Sequence, residues 1–131
     1  MKKRKLYIAG QEGMVGSAIL RTLKKNYKII NCSRKELNLV DQIKVDKWFR
    51  KHKPEIVINA AGRVGGILDN STYKDEYIYI NTLIGFNLIA ASHKYNVKKF
   101  INLGSACIYP KNVKQPIKED YLLSSKLEKT N

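Results

Sequence analysis

The sequence predicts an α/β fold in which one parallel β-sheet, with about four strands present, is flanked by helices. Short segments of strand-forming residues alternate with longer segments whose apolar residues recur at helical spacing, in the order strand, helix, strand, helix, strand, helix, strand. The third strand segment, Ile56–Ile58, is apolar at every position, which is typical of a strand buried on both faces. Alternation of this kind predicts parallel strands joined by right-handed crossovers.

The first two strands are predicted on either side of one amphipathic helix. Lys5–Ala9 is rich in strand formers and predicts the first strand. Met14–Lys25 predicts the first helix, Asn26 ends it, and Tyr27–Cys32 predicts the second strand. The apolar positions of that helix are Val15, Ala18, Ile19 and Leu23.

The second helix has a clear start and a clear stop. Asp41 is a capping residue for Gln42–His52, and Pro54 prevents the helix from continuing. After the third strand, Ala60–Gly66 is rich in small residues and predicts a loop. The apolar side chains that the helix Gln42–His52 directs toward the core are predicted to be Ile43, Val45, Trp48 and Phe49.

A long helix and a fourth strand complete the predicted sheet. The helix is expected from about Tyr73 to Tyr95, and Phe100–Leu103 is the fourth strand. Beyond Gly104 the chain is expected to be irregular. The inward side chains of the long helix are predicted to be Tyr77, Ile80, Leu83, Ile84, Leu88 and Ala91.

Composition limits the classes of function. The chain has 131 residues, of which 44% are hydrophobic, so it suits one domain with a packed core. The net charge of +14 would suit a nucleic-acid binder, but the lysines are spread along the chain, so we expect no nucleic-acid partner. No apolar run is long enough for a membrane span, and Leu6–Gly10 is too short for the core of a signal peptide, so a cytoplasmic protein is expected. Cys32 and Cys107 lack disulfide or zinc spacing, and no metal is expected.

The glycine-rich turn after the first strand carries the strongest functional signal. Gly10, Gly13 and Gly16 stand between a predicted strand and a predicted helix, as in dinucleotide-binding domains of the Rossmann type. The first glycine permits a tight turn, the second lets a pyrophosphate approach the backbone, and the third lets the helix pack closely. The helix start at Met14 and Val15 would then present free N–H groups to the phosphates.

The end of the second strand favours NADP over NAD. Arg34 lies about where a residue beside the adenosine ribose is expected, and arginine suits a 2′-phosphate. No carboxylate occupies the three positions before it, and Glu36 is expected to lie too far along the chain to hold the ribose. Gln11 and Glu12 stand in the turn, and a glutamate beside a 2′-phosphate would be unfavourable.

These segments together resemble the extended short-chain dehydrogenases/reductases, and most closely the GDP-L-fucose synthase family. The resemblance covers essentially the whole chain, and it is most specific at Val64–Ile67 and Gly104–Lys111. The other matching segments are Ile8–Ile19, Glu36–Leu39 with Asp41, and Asn59–Gly62. The resemblance implies that NADPH serves in the 3,5-epimerisation and 4-reduction of GDP-4-keto-6-deoxy-mannose, with a nucleotide-sugar as substrate.

The resemblance also implies roles for single residues. Cys107 matches the acid/base cysteine of the family, and its alternative is a small buried thiol at a strand end. Ser105 matches the serine that hydrogen-bonds the C4 oxygen, and its alternative is an ordinary loop serine.

Further residues are assigned to the cofactor by the same resemblance. Asp41 would contact adenine, although helix capping is an equal alternative, and it could do both. Ala61 and Gly62, with Leu103, would form a wall of the cofactor site. Arg63 would contact the dinucleotide or the substrate. Asn81 would lie near the active site or be a hydrogen-bonded core amide.

The length departs from the family pattern, because a Tyr-x-x-x-Lys pair is expected soon after Asn131. Residues 1–131 are therefore expected to be the N-terminal part of a dinucleotide-binding domain, without a substrate domain and with little turnover alone. The full-length family members are expected to form homodimers through long helices. The alternatives are another NAD(P)-dependent nucleotide-sugar epimerase or dehydratase, which would carry a different residue at Cys107, and a non-catalytic nucleotide-binding fragment.

Overall fold

The computed structural model describes residues 2–127, which divide into two compact units. The first unit comprises the described residues up to Arg63 together with Ile78–Leu103, and the second comprises Val64–Tyr77 and the described residues from Gly104 onward. The first unit contains a four-stranded parallel sheet in the order β2-β1-β3-β4, which confirms the predicted α/β class. The strands are β1 (Lys5–Ala9), β2 (Lys28–Ile30), β3 (Ile56–Asn59) and β4 (Lys99–Asn102).

The described residues form four α-helices, and three of them differ from the prediction. The helices are α1 (Met14–Leu23), α2 (Gln42–His52), α3 (Ile67–Thr72) and α4 (Lys74–Lys94). The predicted long helix therefore begins one residue later than expected. The separate short helix α3 was not predicted at all. Two 3-10 helices, Ala106–Ile108 and Glu119–Tyr121, lie in the segment predicted to be irregular.

The sheet buries one apolar cluster on each face, as the predicted crossovers require. On one face, α1 covers Leu6, Ile8, Ile56 and Ile58 through the partly buried Ile19, Leu20 and Leu23. On the other face, α2 and α4 pack side chains such as Phe49, Leu88 and Ala91 against Tyr7 and Val57 of the sheet. Phe49, Leu88 and Val57 are completely inaccessible to solvent.

Three boundaries or orientations in this unit correct the sequence prediction. Helix α1 ends at Leu23 rather than at Lys25, because the amide of Asn26 already turns back to the carbonyl of Leu23. Strand β2 is limited to Lys28–Ile30, because only three of its residues find partners on β1. Ile43 was predicted to face the core, but it is 67% exposed; Val45 and Phe49 carry that face instead.

Candidate functional site

Strand β1 ends in a turn that only glycine can form. Gly10 has a φ of +80°, in the left-handed region that side chains rarely adopt. A Cβ on Gly10 would also lie 2.7 Å from the carbonyl oxygen of Ala60 and 2.8 Å from Cα of Ala61. The turn therefore presses against the chain that leaves β3, and the close approach leaves no room for a larger residue.

The other two glycines hold the start of α1 against this turn. The amide of Gly13 donates to the carbonyl oxygen of Gly10 at 3.0 Å. Gly16 is buried, and a Cβ there would overlap the same Gly10 carbonyl. The sequence analysis predicted that Gly16 allows close packing of helix and strand. In the structure the close contact is to the backbone of the turn itself.

The first turn of α1 presents amide N–H groups to solvent. Helix geometry leaves the N–H groups of Met14, Val15 and Gly16 without acceptors inside the helix. Met14 and Val15 are 87% and 48% exposed, and α1, all of which is described, has no acidic side chain in its first turn. Free donors and the positive end of a helix dipole make this turn suitable for the phosphates of a ligand.

A small-residue wall follows β3 and is fixed by Asn59. The buried Asn59 side chain accepts a hydrogen bond from the Ala61 amide at 3.1 Å and donates to Oδ1 of Asn102 at 2.8 Å. Its main-chain carbonyl accepts from the Leu103 amide at 3.0 Å, which carries the sheet pairing one residue beyond β4. Ala61 and Leu103 are thus held at the carboxyl edge of the sheet, where open α/β sheets bind ligands. The sequence analysis did not assign Asn102 any role.

Asn81 holds the chain just beyond this wall. Its Oδ1 accepts from the Arg63 amide at 2.7 Å, and its Nδ2 donates to the Arg63 carbonyl at 3.0 Å. The side chain is exposed, so the alternative of a buried core amide is wrong. The buried amide of α4 is Asn87, which the sequence analysis missed and which donates to the carbonyls of Leu39 and Val40.

The turn after β2 brings two carboxylates close to Arg34. Glu12 Oε2 accepts from the Arg34 amide at 3.3 Å. Glu36 folds back so that its Oε2 lies 2.7 Å from both the amide nitrogen and Oγ of Ser33. The turn over Arg34–Glu36 reverses the chain and returns the Glu36 carboxylate to Ser33, and that Glu36 lies too far along the chain to hold a ribose stays a prediction.

The cysteine beside this turn is buried. Burial raises the pKa of the Cys32 thiol and the Glu36 carboxylate raises it further, while a hydrogen bond with Trp48 lowers it and the more weakly acting Glu12 carboxylate raises it again. Its Sγ lies 3.8 Å from the carbonyl oxygen of Ser33. Cys32 is therefore a neutral core thiol, and it lies near negatively charged side chains at the end of β2.

Asp41 caps helix α2, as one of its two predicted roles required. Its Oδ1 accepts from the Lys44 amide at 3.0 Å, and its Oδ2 lies 3.3 Å from Lys44 Nζ. The hydrogen bond from the Lys44 backbone holds the pKa of Asp41 below its usual range, in spite of an opposing effect of desolvation. The contact of Asp41 with adenine stays a prediction.

The second unit contains the predicted catalytic pair. Ser105 Oγ accepts from the Cys107 amide at 3.1 Å and so caps the 3-10 helix Ala106–Ile108. Both residues are exposed, so the alternative of Cys107 as a buried structural thiol is wrong. The hydrogen bond uses the serine oxygen as an acceptor, and the hydroxyl hydrogen can still be donated to a ligand.

The same unit contains the Val64–Ile67 segment, whose bend is held by side chains of the next helix. The phenol of Tyr77 hydrogen-bonds Asp69, and both lie against Gly65, where a Cβ would meet them. Asn70 Nδ2 donates to the carbonyls of Gly65 and Gly66 at 2.9 and 3.0 Å. A side chain at Gly65 would displace the Tyr77–Asp69 pair, whereas Gly66 has open space where a side chain would stand.

Residues 2–127 contain neither a membrane-spanning helix nor a cluster of metal-binding side chains. Over residues 2–127, no helix combines the length and apolar character needed to cross a membrane. Within the same range, no group of three or more His, Cys, Asp or Glu side chains could hold a metal ion.

The chain is similar to enzymes of nucleotide-sugar metabolism. It is 45% identical to the GDP-L-fucose synthase of Sinorhizobium fredii over 98% of this chain and 41% of the relative. It is likewise 45% identical to the Escherichia coli GDP-L-fucose synthase over 100% of this chain and 41% of the relative. Among solved structures, the GDP-mannoheptose C4 reductase of Campylobacter jejuni with NADP bound is 37% identical, with a TM-score of 0.92 over 99% of this chain and 42% of that one.

The chain spans about two fifths of the length of the curated relatives that it matches. The model of the NAD dependent epimerase/dehydratase family matches residues 6–131, which is nearly the whole chain. With its glycine turn, parallel sheet and near-complete match, the chain belongs to the NAD dependent epimerase/dehydratase family.

Proposed function

We propose that this chain is the N-terminal, dinucleotide-binding part of an NADP-dependent GDP-L-fucose synthase. Such an enzyme epimerises GDP-4-keto-6-deoxy-mannose at C3 and C5 and reduces it at C4. The observation that carries the proposal is the exposed first turn of α1, which forms the second half of the segment Gly10–Gly16. The first half of that segment packs against Ala60 and Ala61. The NADP-bound heptose reductase and the two fucose synthases named above support both the cofactor and the substrate class.

The residues present fit a dinucleotide. The amides of Met14, Val15 and Gly16 would bind the pyrophosphate, and the small Ala61 and Gly62 would leave room for the ligand beside them. Arg34 would face the 2′-phosphate, Asp41 would contact adenine, and Leu103 would form part of the wall. When bound, NADPH supplies the hydride for reduction at C4.

Ser105 and Cys107 would carry the chemistry on the sugar. A ketone at C4 acidifies the protons on C3 and C5, and the exposed Cys107 would remove such a proton as a thiolate and return one as the thiol so formed. Ser105 would donate its hydroxyl hydrogen to the C4 oxygen as negative charge develops. In a protein of the relatives' full length that carries this chain, Cys107→Ser should abolish exchange of the C3 and C5 protons with deuterium oxide. NADPH binding should stay unchanged; retained exchange would remove Cys107 from this role.

One proline substitution tests the nucleotide site without disturbing the helix. Met14 is the first residue of α1, a position at which proline is well tolerated, so Met14→Pro removes one N–H donor and keeps the fold. A donor to a charged phosphate contributes about 1.5–3 kcal/mol, so NADPH affinity should fall roughly tenfold or more. Gln42→Pro, at the equivalent position of α2, is the matched control and should leave the affinity unchanged. Equal affinities for Met14→Pro and wild type would refute the phosphate site.

A second candidate function is reduction at C4 of a different GDP-sugar. The similarity to the Campylobacter jejuni C4 reductase specifically favours it. Product analysis of the full-length protein separates the two candidates: a fucose product requires inversion at C3 and C5, whereas a simple reductase leaves both centres unchanged.

We also propose a cellular compartment and an oligomeric state for the full-length protein. A working Cys107 thiol needs a reducing compartment, which supports the cytoplasm.

One face of helix α4 carries three exposed apolar side chains, and this supports pairing with a second copy in the full-length protein. These side chains are Ile78, Phe86 and Ile89, which are 70%, 65% and 51% exposed. Phe86→Glu should then convert a dimer into a monomer, and light scattering measures the change in mass. Nucleic acid has no place in this proposal.

A further inference from the structure

The end of β2 carries two opposite signals for the adenosine ribose. In dinucleotide-binding folds this position contacts the ribose 2′ group: a carboxylate there accepts a 2′-hydroxyl, and an arginine suits a 2′-phosphate. Here Arg34 follows Cys32 and Ser33, but a carboxylate from another part of the chain reaches the same position. That carboxylate belongs to Glu12, in the glycine turn itself.

The contacts show that carboxylates already occupy the donors at this strand end. Glu12 Oε2 accepts from the Arg34 amide at 3.3 Å, across 22 residues of sequence. Glu36 accepts from the amide and hydroxyl of Ser33, each at 2.7 Å. A 2′-phosphate would need donors of this kind, whereas a 2′-hydroxyl can itself donate to a carboxylate.

The electrostatic effect of the two glutamates extends beyond their hydrogen bonds. After burial, the charge of Glu36 raises the pKa of Cys32 most, and the charge of Glu12 raises it by a smaller amount than a hydrogen bond with Trp48 lowers it. Negative potential therefore reaches the strand end from both sides of Arg34. A 2′-phosphate carries about two negative charges near neutral pH, so it meets repulsion there that a 2′-hydroxyl does not.

We propose that Glu12 is a specificity-determining residue for the dinucleotide, which weakens the preference for NADPH and lets the site accept NADH as well. The inference rests on the proposed function, because it assumes that the Gly10–Gly16 turn binds a dinucleotide. Arg34 attracts the 2′-phosphate, and Glu12, hydrogen-bonded to the same residue, opposes it. The balance of these two side chains sets the ratio of the two affinities.

The test is a titration of the chain with NADPH and with NADH at low and at high salt, in which the fluorescence of the nucleotide measures binding. Glu12→Gln keeps the size of the side chain and removes its charge. It should raise the NADPH affinity roughly threefold to tenfold at low salt, with a smaller gain at high salt because exposed charges are screened. The NADH affinity should stay constant or fall, and Glu12→Lys should shift the ratio further in the same direction.

Glu55→Gln is the matched control, since it removes the same charge at the opposite edge of the sheet, where Glu55 accepts from the Lys5 amide at 2.9 Å. It should leave the ratio of affinities unchanged. A ratio that is the same in wild type and Glu12→Gln overturns the inference but leaves the dinucleotide site standing. An equal shift in Glu55→Gln also overturns it, because the effect would then be one of net charge. Failure of both nucleotides to bind any folded variant, judged by circular dichroism, overturns the proposed function and the inference together.

Discussion

Asn59 and Asn102 face each other across neighbouring strands, and Nδ2 of Asn59 donates to Oδ1 of Asn102 at 2.8 Å. Asn59 also accepts from the Ala61 amide, so one buried side chain joins the ends of β3 and β4 to the small-residue wall. Asn59→Ala should lower the free energy of unfolding by about 1–3 kcal/mol, because it leaves buried polar groups unpaired. Urea denaturation measures the change.

Asn102→Ala serves as the comparison for that variant. Asn102 is exposed, so water can replace its partner, and the loss should be smaller, about 0.5–1.5 kcal/mol. The double variant should lose less than the sum of the two single changes, because the residues share one hydrogen bond. Strict additivity would show that the two side chains do not interact.

Gly10→Ala should destabilise the chain and impair nucleotide binding together. The positive φ and the contact with the Ala60 carbonyl both oppose a side chain, and the cost should be roughly 1–3 kcal/mol. Gly85→Ala is the control, because a Cβ there would meet only open space among the described residues. In the interior of α4 it should be neutral or stabilise by up to about 1 kcal/mol. Thermal unfolding of the two variants should therefore move in opposite directions; a Gly10→Ala variant as stable as wild type would contradict the strained turn.

The two cysteines should differ sharply in reactivity. Cys107 is exposed, whereas Cys32 is buried with a raised pKa, and only the thiolate reacts with iodoacetamide. At pH 7.5 and short times, mass spectrometry should find the label on the Cys107 peptide, and both cysteines should react after denaturation in urea. Labelling of Cys32 at the same rate as Cys107 in the folded chain would show that the core around β2 is open.

The link between α2 and α4 should weaken with acid. Asp46 Oδ1 accepts from Lys94 Nζ at 2.6 Å and from the Tyr95 phenol at 3.0 Å. The hydrogen bond from Lys94 is the main cause that lowers the pKa of Asp46. A carboxyl with a lower pKa in the folded than in the unfolded state stabilises the fold above the unfolded value of about 3.9, and this contribution is lost as the pH falls through the folded pKa.

Thermal unfolding across pH 3–7 tests this link. Asp46→Asn should melt at a slightly lower temperature than wild type at neutral pH, and the difference should shrink as the pH falls below about 4. Asp120→Asn, an exposed change in the second unit, is the control. A difference between Asp46→Asn and wild type that stays constant down to pH 3 would show that it does not arise from the ionised carboxylate.

The sequence predicted best those features that are set by local chemistry. Strand β1 and helix α2 have the predicted bounds, since β1 precedes a glycine turn and α2 lies between the cap Asp41 and Pro54. Helix α3 was missed because it follows two glycines and ends in Asn70, Ser71 and Thr72, which are weak helix formers. Ile43 was assigned inward because its spacing in the stripe is correct, yet the helix faces the sheet through Val45 and Phe49.

Contacts between distant segments could not be predicted in this way. The Asn59–Asn102 pair depends on the register of β3 and β4, and the Asn87 bonds depend on how α4 crosses the chain before α2. The return of Glu36 to Ser33 depends on the geometry of a turn that its sequence does not reveal. The strand–turn–helix order around Gly10–Gly16 was predicted correctly, because the tight turn at Gly10 depends on backbone geometry that a glycine pattern encodes.

The most direct test of the whole account is a ¹⁵N-resolved NMR titration of the chain with NADP⁺. If the pyrophosphate binds at the start of α1, the amides of Met14, Val15 and Gly16 should show the largest shifts, followed by those of Ala61 and Arg34. The amides of α2 from Lys47 to His52, on the opposite face of the sheet, should hardly move. Saturable binding with the largest shifts elsewhere, and none at Met14–Gly16, would contradict it.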